Sequence, residues 1–165
     1  MTSRLQGLPP VIGRATRLLI LGSFPSAKSL EAQQYYAHPR NHFWPILSDV
    51  LDEPLVSLPY RQRLRRVIDR GLGIWDSIVA CERPGSLDSS IRQAAIGEIE
   101  RVTGTARQLT AVAFNGATAA RAEPLWNDAG YRTLRLPSSS PAYTVPLAEK
   151  IRAWRVLTEF LLPAV

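Results

Sequence analysis

Leu18-Leu19-Ile20-Leu21-Gly22-Ser23-Phe24-Pro25-Ser26 joins an unbroken apolar run to a turn that carries a glycine and a proline. A strand with one face in water alternates apolar and polar residues, whereas a strand covered on both faces is apolar throughout. Coverage on both faces is typical of parallel sheets flanked by helices. The run therefore predicts a central parallel strand that stops at Gly22. Working outward, Thr110 to Phe114 reads as a second buried strand and Tyr131 to Leu136 as a third; Gly73-Ile74-Trp75-Asp76 reads as strand or strand edge. Between them lie helical patterns. One starts near Ala27 or Lys28 and runs toward Gln34. Another, His42 to Leu51, carries Phe43, Ile46, Leu47 and Val50 on one stripe. Tyr60 to Asp69 turns Leu64, Val67 and Ile68 inward and ends at Gly71. Gly116 to Leu125 and Val145 to Leu162 complete the set. Ile91 to Arg107 reads as helix broken at Gly97 and Gly104, after a polar loop from Glu82 to Ser90. Strands alternating with helices predict one domain over residues 1–165. Its class is α/β, a three-layer α/β/α sandwich with a short, mainly parallel central sheet.

The bulk composition narrows the function. With 45% hydrophobic and 21% charged residues, the chain has the balance of a folded domain. No apolar run reaches the roughly 18 residues of a membrane span. Met1 to Pro10 lacks the apolar centre of a secretion signal. Cys81 is the single cysteine, which excludes a disulfide framework and any metal or iron–sulfur site built mainly from cysteines. A reducing cytoplasm is the expected compartment. Net charge is +6, and among the basic residues only Lys28 and Lys150 are lysine. Arginine forks match phosphate oxygens, so the balance suits nucleic acid, although a GC-rich genome yields the same bias. His38 and His42 have the spacing of a helical metal pair, but Pro39 lies between them and no metal is expected. Walker, Gly-x-Gly-x-x-Gly and Gly-x-Ser-x-Gly motifs are absent from the sequence.

An open parallel sheet binds ligands beyond the carboxyl ends of its strands. The strand-ending segments are Gly22 to Ser26, Trp75-Asp76, Phe114-Asn115-Gly116 and Pro137 to Pro141. Together they offer backbone amides, hydroxyls, aromatic faces and one side-chain amide. That set suits a flat heterocycle beside a phosphodiester.

These residues also carry a resemblance. Gly22-Ser23-Phe24-Pro25-Ser26, followed by Tyr35-Tyr36-Ala37-His38-Pro39-Arg40-Asn41-His42-Phe43-Trp44, resembles the first motif region of the hypoxanthine-DNA glycosylases, a branch of the uracil-DNA glycosylase superfamily. Trp75-Asp76, Cys81-Glu82-Arg83, Gly85-Ser86-Leu87-Asp88, Phe114-Asn115-Gly116 and Ser138-Ser139-Ser140-Pro141-Ala142 match in order. The resemblance implies hydrolysis of the N-glycosidic bond of a deaminated base flipped out of DNA, hypoxanthine first. Uracil or xanthine is the alternative base. A non-catalytic nucleic-acid-binding module on the same fold is the alternative class. The superfamily's common first motif has Asp or Asn directly before the proline, to hold the attacking water; here Phe24 stands there. The hypoxanthine branch shares that substitution and relies on a later asparagine, matched by Asn41. The resemblance implies no cofactor, no obligate protein partner, and a cytoplasmic enzyme associated with the nucleoid of a prokaryote.

Each residue has two readings. Asn41 orients the water through its carbonyl, or caps the helix that follows. His42 joins it as a catalytic candidate; His38 and His42 are placed to assist the leaving base or touch phosphate. Phe24 is a stacking floor or a packed turn aromatic. Asn115 reads hypoxanthine by donating to O6 and accepting from N1–H, or caps the helix at Gly116. Gly22 and Ser23 complete the base-binding set. Ser26, Lys28, Ser138, Ser139, Ser140 and Pro141 are candidates to grip phosphates. Ala142 sits where relatives carry a bulky wedge, so Tyr143 is the candidate to fill the gap. Trp44 and Trp75 are read as core, Asp88 as a helix cap, and Asp76 as structural rather than as a second water-positioning group. Neither lysine sits in an imine-forming motif, which predicts a glycosylase without strand cutting.

Overall fold

A computed structural model describes residues 3–164. Its strands are β1 (Arg4–Gln6), β2 (Leu18–Gly22), β3 (Leu72–Asp76), β4 (Ile78–Glu82), β5 (Arg92–Ile96), β6 (Ala111–Asn115) and β7 (Arg132–Leu136). Its helices are α1 (Ala27–Ala32), α2 (Phe43–Leu51), α3 (Tyr60–Asp69), α4 (Glu100–Thr103), α5 (Glu123–Asp128) and α6 (Leu147–Trp154). All four strands of the central sheet are parallel, in the order β3-β2-β6-β7. Leu18 to Leu21 are fully buried. Leu18 and Ile20 pack with Phe43 of α2, Val67 of α3 and Trp154 of α6. Leu19 and Leu21 point the other way, toward Val102 of α4 and Trp126 of α5. Each such aliphatic side chain contributes roughly 1.5–3 kcal/mol on full burial. The expected three layers are present, and Trp44 and Trp75 are core residues on opposite faces.

Several expectations need correction. Arg92 to Ile96 is strand, not helix. It pairs antiparallel with β4, which pairs with β1, making a second, three-stranded sheet that also takes Glu82 out of the expected loop. β5 is largely exposed, Gln93 has φ 53, and register shifts interrupt the pairing, so neither apolar alternation nor an apolar run marks the strand. Asp88 opens a short 3-10 turn rather than capping a helix. The helix expected from Gly116 is a 3-10 turn, Ala119–Ala122, before α5 begins at Glu123; Pro124 has no N–H to bond back across that junction. At the C-terminus α6 starts only after Pro146 and gives way to a 3-10 turn, Arg155–Phe160.

Only Ser77 separates β3 from β4. Its amide donates to the Gly22 carbonyl at 2.8 Å, and the Ile78 amide donates to the Ser23 carbonyl at 3.0 Å. The chain thus leaves the parallel sheet and enters the antiparallel one across the end of β2, with Asp76 at the crossing. Among the described residues no helix is long and apolar enough to cross a membrane.

Candidate active site

A cleft of about 380 Å³ opens beyond the carboxyl ends of the central strands. Phe24, Asn41, Asp76, Asn115 and Ser138 to Ser140 all line it, so the strand-ending segments converge as anticipated. The floor is polar and buried. Asn115 ends β6 at 8% exposure. Its Nδ2 donates to Ser139 Oγ at 2.9 Å and to Tyr36 Oη at 3.2 Å, and its Oδ1 accepts from the Ser139 amide at 2.9 Å. The backbone donor at Ser139 fixes which end of the amide is oxygen. Both amide hydrogens are therefore engaged inside the protein. The donation to a base expected of Asn115 would have to replace one of these bonds, and no helix begins at Gly116 for its amide to cap. Instead it ties the serine loop to Tyr36. Gly116 has φ 94, and a Cβ there would come 3.1 Å from the Ser138 Cβ, so the approach of the two loops needs glycine.

Tyr36 is the floor residue that the sequence did not mark. It adopts φ 55, a left-handed conformation unusual for an aromatic residue. Its ring stacks on Phe43, centroids 3.8 Å apart and 13° from parallel. Its hydroxyl accepts from Asn115, which leaves the O–H hydrogen available. Burial and then the Asp76 charge raise the phenol well above its ordinary range, so it stays protonated. Asp76, at the end of β3, is 5% exposed, and its Oδ2 has no hydrogen-bond partner. Burial first, then the negative charge of Asp88, push its carboxyl up to about 7, against the pull of Arg83. Gly22, beside Asp76 in register, lets these groups meet. A Cβ on it would lie 2.5 Å from Asp76 Oδ1 and 2.8 Å from Tyr36 Oη. A buried carboxyl without a partner is costly, which makes its position on a cleft wall informative.

The other candidates divide. Phe24 lines the cleft at 7% exposure while packing on Ile78 and Cys81, and the Arg83 guanidinium lies 5.1 Å from its ring centroid. Asn41 lines the cleft, and its Oδ1 accepts the Phe43 amide at 2.9 Å; His42 occupies the N-cap position, so Asn41 caps α2 from one residue further out. His38 lines the cleft, whereas His42 is absent from its wall and turns Nδ1 toward Lys150. Ser23 donates to Asp88, and Ser26 caps α1 by accepting from the Ser29 amide. Lys28 is exposed on α1 and, like Pro141, lies outside the cleft wall. Ser138 Oγ accepts from the Ser140 amide and Ser140 Oγ from the Ala142 amide, so each keeps its hydrogen for an outside acceptor. Ala142 and Tyr143 are exposed at the cleft mouth. No group of three or more His, Cys, Asp or Glu among the described residues is arranged to hold a metal.

A parallel sheet whose carboxyl edge holds a buried polar floor, ringed by free hydroxyl donors, defines an α/β/α protein with a ligand cleft at its strand ends. The chain belongs to the uracil DNA glycosylase superfamily, whose family model matches residues 9–158. It is 38% identical over 149 residues to the hypoxanthine DNA glycosylase of Methanosarcina barkeri, covering 90% of this chain and 94% of that one. It is also 38% identical to the hypoxanthine DNA glycosylase of Methanosarcina acetivorans, over 83% of this chain and 87% of that one. A solution NMR structure of a candidate uracil DNA glycosylase from Methanosarcina acetivorans superposes with a TM-score of 0.82 at 34% identity. That match covers 94% of this chain and 99% of that chain.

Proposed function

We propose that this chain is a monofunctional DNA glycosylase that releases hypoxanthine from a flipped deoxyinosine. One observation carries the proposal: Tyr36 and Asp76 meet over Gly22 with a free O–H donor and an unpartnered carboxyl on the cleft wall. Hypoxanthine carries the complementary edge, a C6 carbonyl that accepts and an N1–H that donates. Ionised Asp76 accepts N1–H, and Tyr36 donates to O6. Adenine reverses both groups, so its bare N1 faces a carboxylate and its amino group faces an O–H. Leaving such buried groups unpaired discriminates strongly. Uracil shares the favourable edge, and only its smaller ring separates it from a purine. Asn115 acts by holding the Tyr36 hydroxyl so that its hydrogen points outward.

The C1′–N9 bond breaks with its electron pair going to the base. Charge developing on O6 is met by the Tyr36 hydroxyl. A water held by the second lone pair of Asn41 Oδ1 and by its amide adds to the oxocarbenium carbon. The proton that the water loses neutralises the departed base. Phe24 supports the base, the hydroxyls of Ser138 and Ser140 donate to the flanking phosphates, and Tyr143 fills the vacated stack. Acting on genomic DNA, the enzyme works in the cytoplasm of a prokaryote.

Single-turnover release from duplexes containing inosine, uracil or xanthine tests the proposal. Inosine is expected to react fastest. Faster uracil release would overturn the purine reading, and DNA binding without release of any base would make the chain a binding module. Tyr36→Phe is expected to lower the rate about 100-fold, as loss of one donor to a developing anion does.

A further inference from the structure

Lys150 of α6 is fully buried. Its Nζ lies 3.2 Å from His42 Nδ1, donates to the Ser140 carbonyl at 3.2 Å, and sits 5.6 Å from the Tyr143 ring centroid. No carboxylate is among these partners, and Lys150 enters none of the salt bridges of the described residues. Burying an ammonium costs several kcal/mol unless its contacts compensate, and a methionine would fill much the same volume between α2 and α6 without that cost. The contacts that Lys150 makes are all with the frame of the cleft. His42 follows Asn41, and its amide donates to the Ser139 carbonyl at 2.9 Å. Ser139 is bonded through both its amide and its hydroxyl to Asn115.

We propose that Lys150 is a positioning residue that locks the Asn41–His42 turn to the serine loop, fixing the distance between the water-holding amide and the phosphate-gripping hydroxyls. The role assigned to the two ends of that lock rests on the glycosylase reading above; the lock itself does not. An ammonium donating to Nδ1 requires His42 to be neutral, with its proton on Nε2. Burial first, then the Lys150 charge, lower the His42 imidazole, and burial lowers the Lys150 ammonium. The groups facing Lys150 are His42 from the turn before α2 and Tyr143 from the serine loop. On α2 itself Asp49 is paired with Arg155, and on α6 Glu149 and Arg152 are exposed.

The test compares Lys150→Met, which removes the charge at similar volume, with Lys150→Arg, which keeps it. Single-turnover release at saturating inosine-containing DNA is expected to fall about 100-fold in Lys150→Met, the scale of a displaced reacting group. DNA affinity should change far less, and Lys150→Arg should recover most of the rate. NMR titration of the two histidines, assigned with His38→Gln, supplies a readout that packing alone would not move. The His42 midpoint should lie below the ordinary value of about 6.5 in the unmodified chain, rise in Lys150→Met, and stay low in Lys150→Arg. Equal rates in Lys150→Met and the unmodified chain, or loss of stability with no movement of the His42 midpoint, would overturn the proposal. If Lys150→Met does not fold, the unmodified chain carries the test, because a His42 midpoint at the ordinary value overturns the contact. Failure of the glycosylase reading would appear separately, as no release by the unmodified chain.

Discussion

At the floor of the cleft Asp76 and Asn115 are buried to 5% and 8% exposure, while at its mouth Ala142 and Tyr143 stand in solvent. Asn115 is tied to two neighbours and Asp76 leaves an oxygen unpartnered. The serines of the rim, by contrast, bond within their own loop and keep their hydrogens free. The floor therefore holds charge and geometry that the fold would discard if stability alone mattered, and the rim holds little of either. Substitutions should separate the two regions. Floor changes should alter rate, stability and pH dependence together, whereas rim changes should alter DNA affinity alone.

The largest effect is expected at Asn115. Asn115→Ala leaves the Ser139 amide without its acceptor and frees the Tyr36 hydroxyl, so inosine release should fall at least about 100-fold. Stability should drop by about 1–3 kcal/mol, measured by denaturant unfolding. An Asn115→Ala enzyme that is stable and fast would erase the distinction between floor and rim.

At Asp76 the effects on stability and on rate oppose each other. Its carboxyl titrates near 7 in the fold against 3.8 for the free side chain. Below the lower value both states hold the proton. Between the two values the folded chain keeps a proton that the unfolded chain has lost, so stability falls as pH rises through this window, then levels off. Asp76→Asn should remove that slope and stabilise the protein above pH 7 by up to on the order of 4 kcal/mol. Thermal midpoints recorded against pH would show it. The release rate, which needs the carboxylate, should rise through pH 7 in the unmodified enzyme and lose that step in Asp76→Asn. A rate that falls across the same window would mean that the protonated acid reads the base.

On the rim, Ser138→Ala and Ser140→Ala should each weaken DNA binding several-fold, leaving stability within about 0.5 kcal/mol. Lys28→Ala should do least. It should lower the salt dependence of DNA binding slightly and leave release at saturation unchanged.

The legible parts of the molecule are those encoded by neighbours in the chain. β2 and β6 follow from apolar runs, the helix over Tyr60 to Asp69 from its stripe and its glycine stop, and the convergence of strand-ending loops from the parallel sheet. β5 escaped because its residues are mostly exposed and its pairing is irregular, so its strand character comes from β4 and not from its own pattern. The site was half legible. Asn41, Asn115, Phe24 and the serines announced themselves as strand-ending or motif residues, and all line the cleft. Their duties did not follow from that. Tyr36 looked like one of two loop tyrosines, and nothing local shows that its ring would stack on Phe43 with its hydroxyl over Gly22. His42 lies beside Asn41 in sequence, yet the helical turn sends the two side chains to opposite sides, one to the cleft and one to Lys150.

The sequence alone determined the layered α/β/α class, the edge of the sheet where the cleft opens and, through the resemblance its motifs carry, the expected kind of bond to be broken. The first two are properties of short segments, set by period, turn residues and burial. Which polar groups face the cleft unpartnered, and which are tied to one another, is set by contacts between distant elements. Hydrogen bonds that join Asn115 to Tyr36, Asn115 to Ser139 and Lys150 to Ser140 draw their partners from loops on different elements. A side chain's free donors and acceptors are known only once every such partner is in place.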